Sequence, residues 1–267
     1  MRIDLNADVG ESYGAWSLGE DDALIPLVTS INVASGAHAG DPDVIARTVA
    51  IAARHGVAVG AHPGYPDRAG FGRRAMALSP GEIERSVVVQ VGAIWAAARA
   101  AGLPLRHVKT HGALYNRASR DEDAALAVAR AVTSVDPGLW LFGLAGSAQV
   151  DAGHALGLRV VEEAFADRAY EADGTLRSRT LEGSVLDEPA AAAAQALAIV
   201  RGSVSAVDGA VVRLRADSIC VHGDLPGAAA RGSDPGGPAQ LDEHRRVAER
   251  HDADRSVSHG WTLARRA

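Results

Sequence analysis

The sequence predicts an α/β fold: a parallel barrel of seven strands wrapped in helices. Three observations predict it. Seven short strand-like runs alternate with segments of helical periodicity, a pattern that places parallel strands beneath helices. Polar and titratable residues stand at the C-terminal ends of nearly all the runs, whereas an open sheet would gather them at one switch point. In the first run Asp4, Asn6 and Asp8 alternate with Leu5, Ala7 and Val9. One face is therefore polar, and the lumen reads as a deep pocket rather than a plug of branched apolar side chains.

The strand-like runs fall at about 2–8, 30–35, 57–62, 106–111, 139–144, 158–164 and 218–222. Helical periodicity occupies about 20–29, 42–55, 80–101, 121–135, 147–156 and 187–201. Asp41-Pro42 and Ser79-Pro80 open two helices, and Gly56 and Gly102 close two. The alanine run from Ala190 to Ala194 is a strong helix former. At the strand ends stand Asp8 on the first, His62 on the third, Lys109 and His111 on the fourth, Glu163 and Asp167 on the sixth, and His222 and Asp224 on the seventh. His38 follows the second.

With 267 residues, 47% of them hydrophobic, the chain can bury the core of one barrel-sized domain, expected over residues 1–227. A net charge of −6 argues against nucleic acid as the main partner. Met1-Arg2-Ile3-Asp4 carries an acid where a signal peptide needs an apolar stretch, and no run approaches the ~18 apolar residues of a membrane span. A cytoplasmic chain with no membrane contact is expected. Cys220 is the only cysteine and lies in an apolar run, where a small buried hydrophobe is its expected role. Beyond Leu225-Pro226-Gly227 the pattern collapses into Gly, Pro and charge. Residues 228–267 are expected to be disordered or altered in fold, as a shifted reading frame in a GC-rich gene would make them.

Lys109 is the only lysine among 27 lysine and arginine residues. Arginine serves as the generic cation here, so the remaining lysine points to a place that needs a compact ammonium. Asp8, His38 and His62 match the ligand types of a divalent-metal site. Arg168 follows Asp167 as Arg68 follows Asp67; either pair could brace a loop, and Arg168 could clamp a carboxylate. Lys109-Thr110 resembles the end of a phosphate-binding loop, but Val108 stands where glycine is needed. If ATP is used, another chain is expected to bind it.

Six motifs in order, Ile3 to Glu11, Gly36 to Asp41, Gly60 to Pro63, Val108 to Asn116, Glu163 to Tyr170 and Val221 to Asp224, together resemble the LamB/YcsF family. Ser35, Ala37 and Thr110 stand where that family commonly has cysteine, phenylalanine and proline. The family includes the A subunit of the bacterial ATP-dependent 5-oxoprolinase. The resemblance implies a seven-stranded barrel related to glycoside hydrolases and deacetylases. It also implies cleavage of the lactam 5-oxoproline to glutamate with subunits B and C, with ATP as co-substrate. Asp8, His38, His62, Lys109, His111 and His222 are the expected catalytic residues, and Asn6, Asp167, Arg168 and Asp224 the expected substrate contacts. A divalent metal is expected, if bound, at Asp8, His38 and His62. Two other readings stay open: a metal-dependent amide or N-acetyl hydrolase acting on a carbohydrate, and a noncatalytic ligand-binding subunit.

Overall fold

A computed structural model describes residues 3–222. In chain order the strands are β1 (Asp4–Val9), β2 (Ser30–Ala34), β3 (Ala58–His62), β4 (Leu105–Lys109), β5 (Trp140–Leu144) and β6 (Arg159–Phe165), then a short antiparallel pair, β7 (Ser203–Ser205) and β8 (Val211–Arg213), and finally β9 (Ser218–His222). Strands β1 to β6 and β9 close into a parallel barrel. β9 shuts the ring by pairing with both β6 and β1, which sets Phe165 opposite Cys220 and Asp8 opposite His222.

The helices are α1 (Asp21–Leu24), α2 (Pro42–His55), α3 (Pro80–Ala100), α4 (Gly112–Ala118), α5 (Glu122–Val135), α6 (Ala148–Ala155) and α7 (Pro189–Val200). Their starts follow the chemistry of the sequence. Asp41 caps α2 by accepting from the backbone N–H groups of Asp43 and Val44, and Ser79 and Glu82 form a reciprocal capping box on α3. Gly56 closes α2 in the left-handed conformation. Outward-facing Ala7, Ile31, Val33, Val59, Ala61 and Val108 pack against Val49, Val87, Ile94 and Val128 of the helices in one core. Burial of each larger aliphatic contributes about 1.5–3 kcal/mol.

The lumen is polar, as the parity of β1 requires, and its side chains form rungs. At the bottom Asp4 accepts from Ser30 and Ser218. One rung higher, Asn6 donates to Glu163 and Ser218, Asn32 donates to Asn6, and His107 is bonded to Asn32. Each of these buried or half-buried polar groups is thereby matched, which offsets the cost of burying it. At the top, Asp8, His62 and Lys109 reach the open end.

Three elements differ from the sequence expectation. The helix expected near 20–29 is a single turn, α1, followed by a 3-10 turn at Ile25–Leu27. Pro26 lacks the N–H that a continuing helix needs. α4 and the β7–β8 pair were not expected: α4 has seven residues and each strand three, too few to show a period. Asp224 and the tail expected over 228–267 lie outside the described residues.

Candidate functional site

The C-terminal ends of the strands bring Asp8, Glu11, His38, His62, Lys109 and His111 together under one cover, the segment that follows β3. Phe71 in that segment adopts a left-handed backbone, φ 54°, which is uncommon for a bulky residue and here aims its carbonyl at His111. Gly72 is left-handed too, and an added Cβ would stand 2.8 Å from Cβ of His38 and 2.9 Å from the ring of His111. Glycine is what lets the cover lie on both rings.

The ring of His38 stacks on that of His111 with centroids 3.7 Å apart, and His62 meets both edge-on. His62 Nδ1 lies 2.8 Å from the carbonyl oxygen of Lys109, and His111 Nε2 lies 2.8 Å from that of Phe71. A carbonyl only accepts, so each of these nitrogens carries the hydrogen. His62 Nε2 and His111 Nδ1 then face one another across 3.0 Å as lone pairs. Burial, followed by the neighbouring imidazoles, holds the pKa of His111 well below the ordinary histidine value. His38 is lowered likewise, by burial and then by His62. His38 is 1% exposed, and neither of its ring nitrogens has a hydrogen-bond partner. Glu11 Oε1 lies 3.6 Å from His38 Nε2 and 3.5 Å from His111 Nδ1.

Four ligand atoms, one each from Glu11, His38, His62 and His111, fall within 4.8 Å of one another. Three imidazoles and a carboxylate, two of the rings fixed from behind by backbone carbonyls, form a donor set that fits a divalent transition metal. The set differs from the expected Asp8, His38 and His62. Asp8 stands beside it, its Oδ2 3.3 Å from His62 Nε2, because its other oxygen is turned toward Lys109.

Lys109 Nζ lies 2.9 Å from Asp8 Oδ1, 2.7 Å from Glu163 Oε1, 3.2 Å from Asn6 Oδ1 and 2.9 Å from Cys220 Sγ. Burial opposes its charge, yet Asp8, Cys220 and Glu163 together hold its pKa well above the ordinary lysine value. It is a fixed ammonium and not a base. A planar guanidinium has no single nitrogen to seat among these acceptors. Tyr115 donates to the second oxygen of Glu163 at 2.9 Å. Burial raises the Cys220 thiol well above its usual pKa, which makes it a poor nucleophile. Burial first, and Lys109 second, lower His107 to about 3, so it stays neutral.

A cavity of about 200 Å³ opens onto this centre and is lined by Asp8, His62, Lys109, His111, Tyr115 and Arg168, among others. Of the expected residues, Asn6 and Asp167 are fully buried and lie behind this wall, so any action of Asn6 on a ligand passes through Lys109. His222 is placed by its backbone opposite Asp8. Arg168 reaches the cavity, but its Nε and Nη2 already donate to the carbonyls of Ser184 and Arg177, which supports the loop-bracing reading of that residue. Glu11, Asn32 and Tyr115 were not singled out in the sequence. For Asn32 the signal was present: a lone amide in the apolar run of β2, on the face that meets Asp8 and Asn6.

Residues 3–233 match the LamB/YcsF family. The chain belongs to that family. It is 58% identical over 232 residues to the 5-oxoprolinase A subunit of Chloroflexus aggregans, covering 86% of this chain and 92% of the relative. The protein of the same name from Methylococcus capsulatus is 56% identical over 229 residues, covering 85% and 88%. Among solved structures, a lactam utilization protein from Thermus thermophilus superposes with a TM-score of 0.82 at 47% identity, covering 95% of this chain and 98% of that one. This LamB/YcsF barrel carries its polar centre where barrels carry active sites, at the C-terminal strand ends. Among the described residues no helix is long and apolar enough to cross a membrane.

Proposed function

We propose that this LamB/YcsF chain is the ring-opening subunit of a 5-oxoprolinase, converting 5-oxo-L-proline to L-glutamate with ATP and with subunits B and C. The observation that carries the reading is the Asp8 to Lys109 ion pair lining one cavity, beside a built ligand cluster. The names of its relatives support it.

A five-membered lactam is a stable amide. Phosphorylation of its oxygen at the partner subunits would make the ring carbon electrophilic, and the barrel would then direct water onto it. Asp8 accepts the proton of the attacking water, the ring C–N bond breaks with a proton delivered to the departing nitrogen, and the acyl phosphate so formed is hydrolysed by a second water to glutamate and inorganic phosphate. Lys109, locked by Glu163 and Asn6, orients the Asp8 carboxylate and presents positive charge to oxygen in the cavity. Glu11, His38, His62 and His111 would hold a divalent ion, which supplies Lewis acidity next to Asp8. Tyr115 fixes Glu163, and Asp167 and Arg168 brace the wall. His222, whose backbone pairs with Asp8, and Asp224, two positions on in the sequence, are assigned as further ligand contacts.

The test is reconstitution: 5-oxoproline, ATP and subunits B and C, with and without this chain, followed by measurement of glutamate. Equal glutamate in both mixtures would overturn the reading. The ligand cluster also favours a metal-dependent amide or N-acetyl hydrolase acting on a carbohydrate, which would release product from this chain alone without ATP.

A further inference from the structure

The cavity is electrically divided. Its lining combines the carboxylate of Asp8 with three arginines from two segments: Arg73 from the cover that follows β3, and Arg168 and Arg179 from the long connection between β6 and α7. Arg168 is 4% exposed and is fastened by one edge of its fork to two carbonyls, so it is a fixed charge rather than a mobile clamp. Burial lowers its pKa to about 10, and the like charges of Arg179 and Arg73 contribute to that lowering, against the opposing pull of Asp167. Arg73 sits with its guanidinium 4.7 Å from the centre of the Phe71 ring, directly over the cover of the histidine cluster. Ser178 and Thr180 flank Arg179 and line the same cavity, their hydroxyls bonded to each other at 2.9 Å, which leaves one hydroxyl hydrogen for a ligand.

Arg73 and Arg179 repel Arg168 across this lining, and an anion among the three relieves that repulsion. Planar forks with hydroxyl neighbours are the chemistry that receives oxyanions. The geometry points to an oxyanion subsite in which Arg73 and Arg179 grip a carboxylate or phosphoryl group of the ligand while Arg168 supplies fixed charge behind them. Such a grip turns the ligand so that its anionic group faces the arginines and the rest of its ring faces Asp8 and Lys109. The inference rests on the ring-opening reading for its ligand, and it makes the anionic group, more than the lactam ring, the basis of selection.

Calorimetric titration of the full chain separates the possibilities, with 5-oxoproline, 2-pyrrolidinone (the same ring without a carboxylate) and inorganic phosphate as probes. Arg73→Met and Arg179→Met are each expected to weaken 5-oxoproline or phosphate at least tenfold and to leave 2-pyrrolidinone unchanged. Arg179→Lys is expected to recover part of the loss. Loss confined to 5-oxoproline assigns the subsite to the carboxylate, and loss confined to phosphate assigns it to a phosphoryl group. Unchanged binding of both anions in the variants, or an equal loss for 2-pyrrolidinone, overturns the subsite, as does failure of the wild-type chain to bind either anion. Phosphate binding that depends on the arginines, in a protein that gives no glutamate on reconstitution, would retain the subsite and reject the ring-opening reading.

Discussion

His62 Nε2 and His111 Nδ1 stand 3.0 Å apart, and each ring has already given its other N–H to a backbone carbonyl. In the neutral form of the two rings no hydrogen would lie between them. The pair joins the ends of β3 and β4 and leaves two lone pairs aimed at the space that Glu11 and His38 also border. A cation resolves the repulsion, and the backbone carbonyls behind the rings fix the tautomers that receive it.

The purified full chain is therefore expected to bind one divalent transition-metal ion. His38→Ala and Glu11→Gln should each weaken that binding at least tenfold, a loss read by elemental analysis after dialysis and by titration. At an ion concentration of 100 times Kd, the holo form should gain about 2.7 kcal/mol of stability over the apo form. A wild-type chain that retains no ion, or variants that bind as it does, would contradict the assignment.

Lys109→Ala leaves Asp8 and Glu163 buried without their cation, and breaking such a pair costs about 3–5 kcal/mol. Lys109→Arg keeps the charge but not the fit, so its turnover is expected to fall nearly as far as that of the alanine variant. Denaturant unfolding and glutamate formation measure the two effects. Near wild-type turnover in the arginine variant would show that the site needs only a positive charge.

Gly60 makes room for a polar rung. A Cβ there would overlap the imidazole ring of His107, and moving that ring breaks its bond to Asn32. Gly60→Ala is expected to destabilise the barrel by about 1–3 kcal/mol. Gly92 on α3 has nothing within 4 Å of its virtual Cβ, so Gly92→Ala should stabilise by about 0.5–1 kcal/mol. Thermal or denaturant unfolding of the two variants compares them directly, and equal effects would refute the steric account.

The barrel was legible because its two signals are local: alternation along β1, and caps such as Asp41 and Ser79 at helix starts. Asp8, His62 and Lys109 were legible because strand ends in such folds face the site. Glu11 was not, since it lies beyond β1 in an irregular stretch whose direction is set by packing rather than by period. The place of Asp8 beside the ligand set, and not within it, depends on Lys109 arriving from β4, a contact across 101 positions. Arg168 posed the same difficulty, because its donors face carbonyls of a connection that shows no regular pattern. The β7–β8 pair left one trace, Asp208-Gly209, where Asp208 accepts from the N–H of Ala210 in the turn.

The claim that the barrel performs the ring opening is tested most directly by Asp8→Asn in the complex reconstituted with subunits B and C. Glutamate release and assembly are measured on the same sample. The account predicts an intact assembly in which glutamate release falls about 10²–10⁴-fold, the range for loss of a general base. Undiminished glutamate release from that assembly would contradict it.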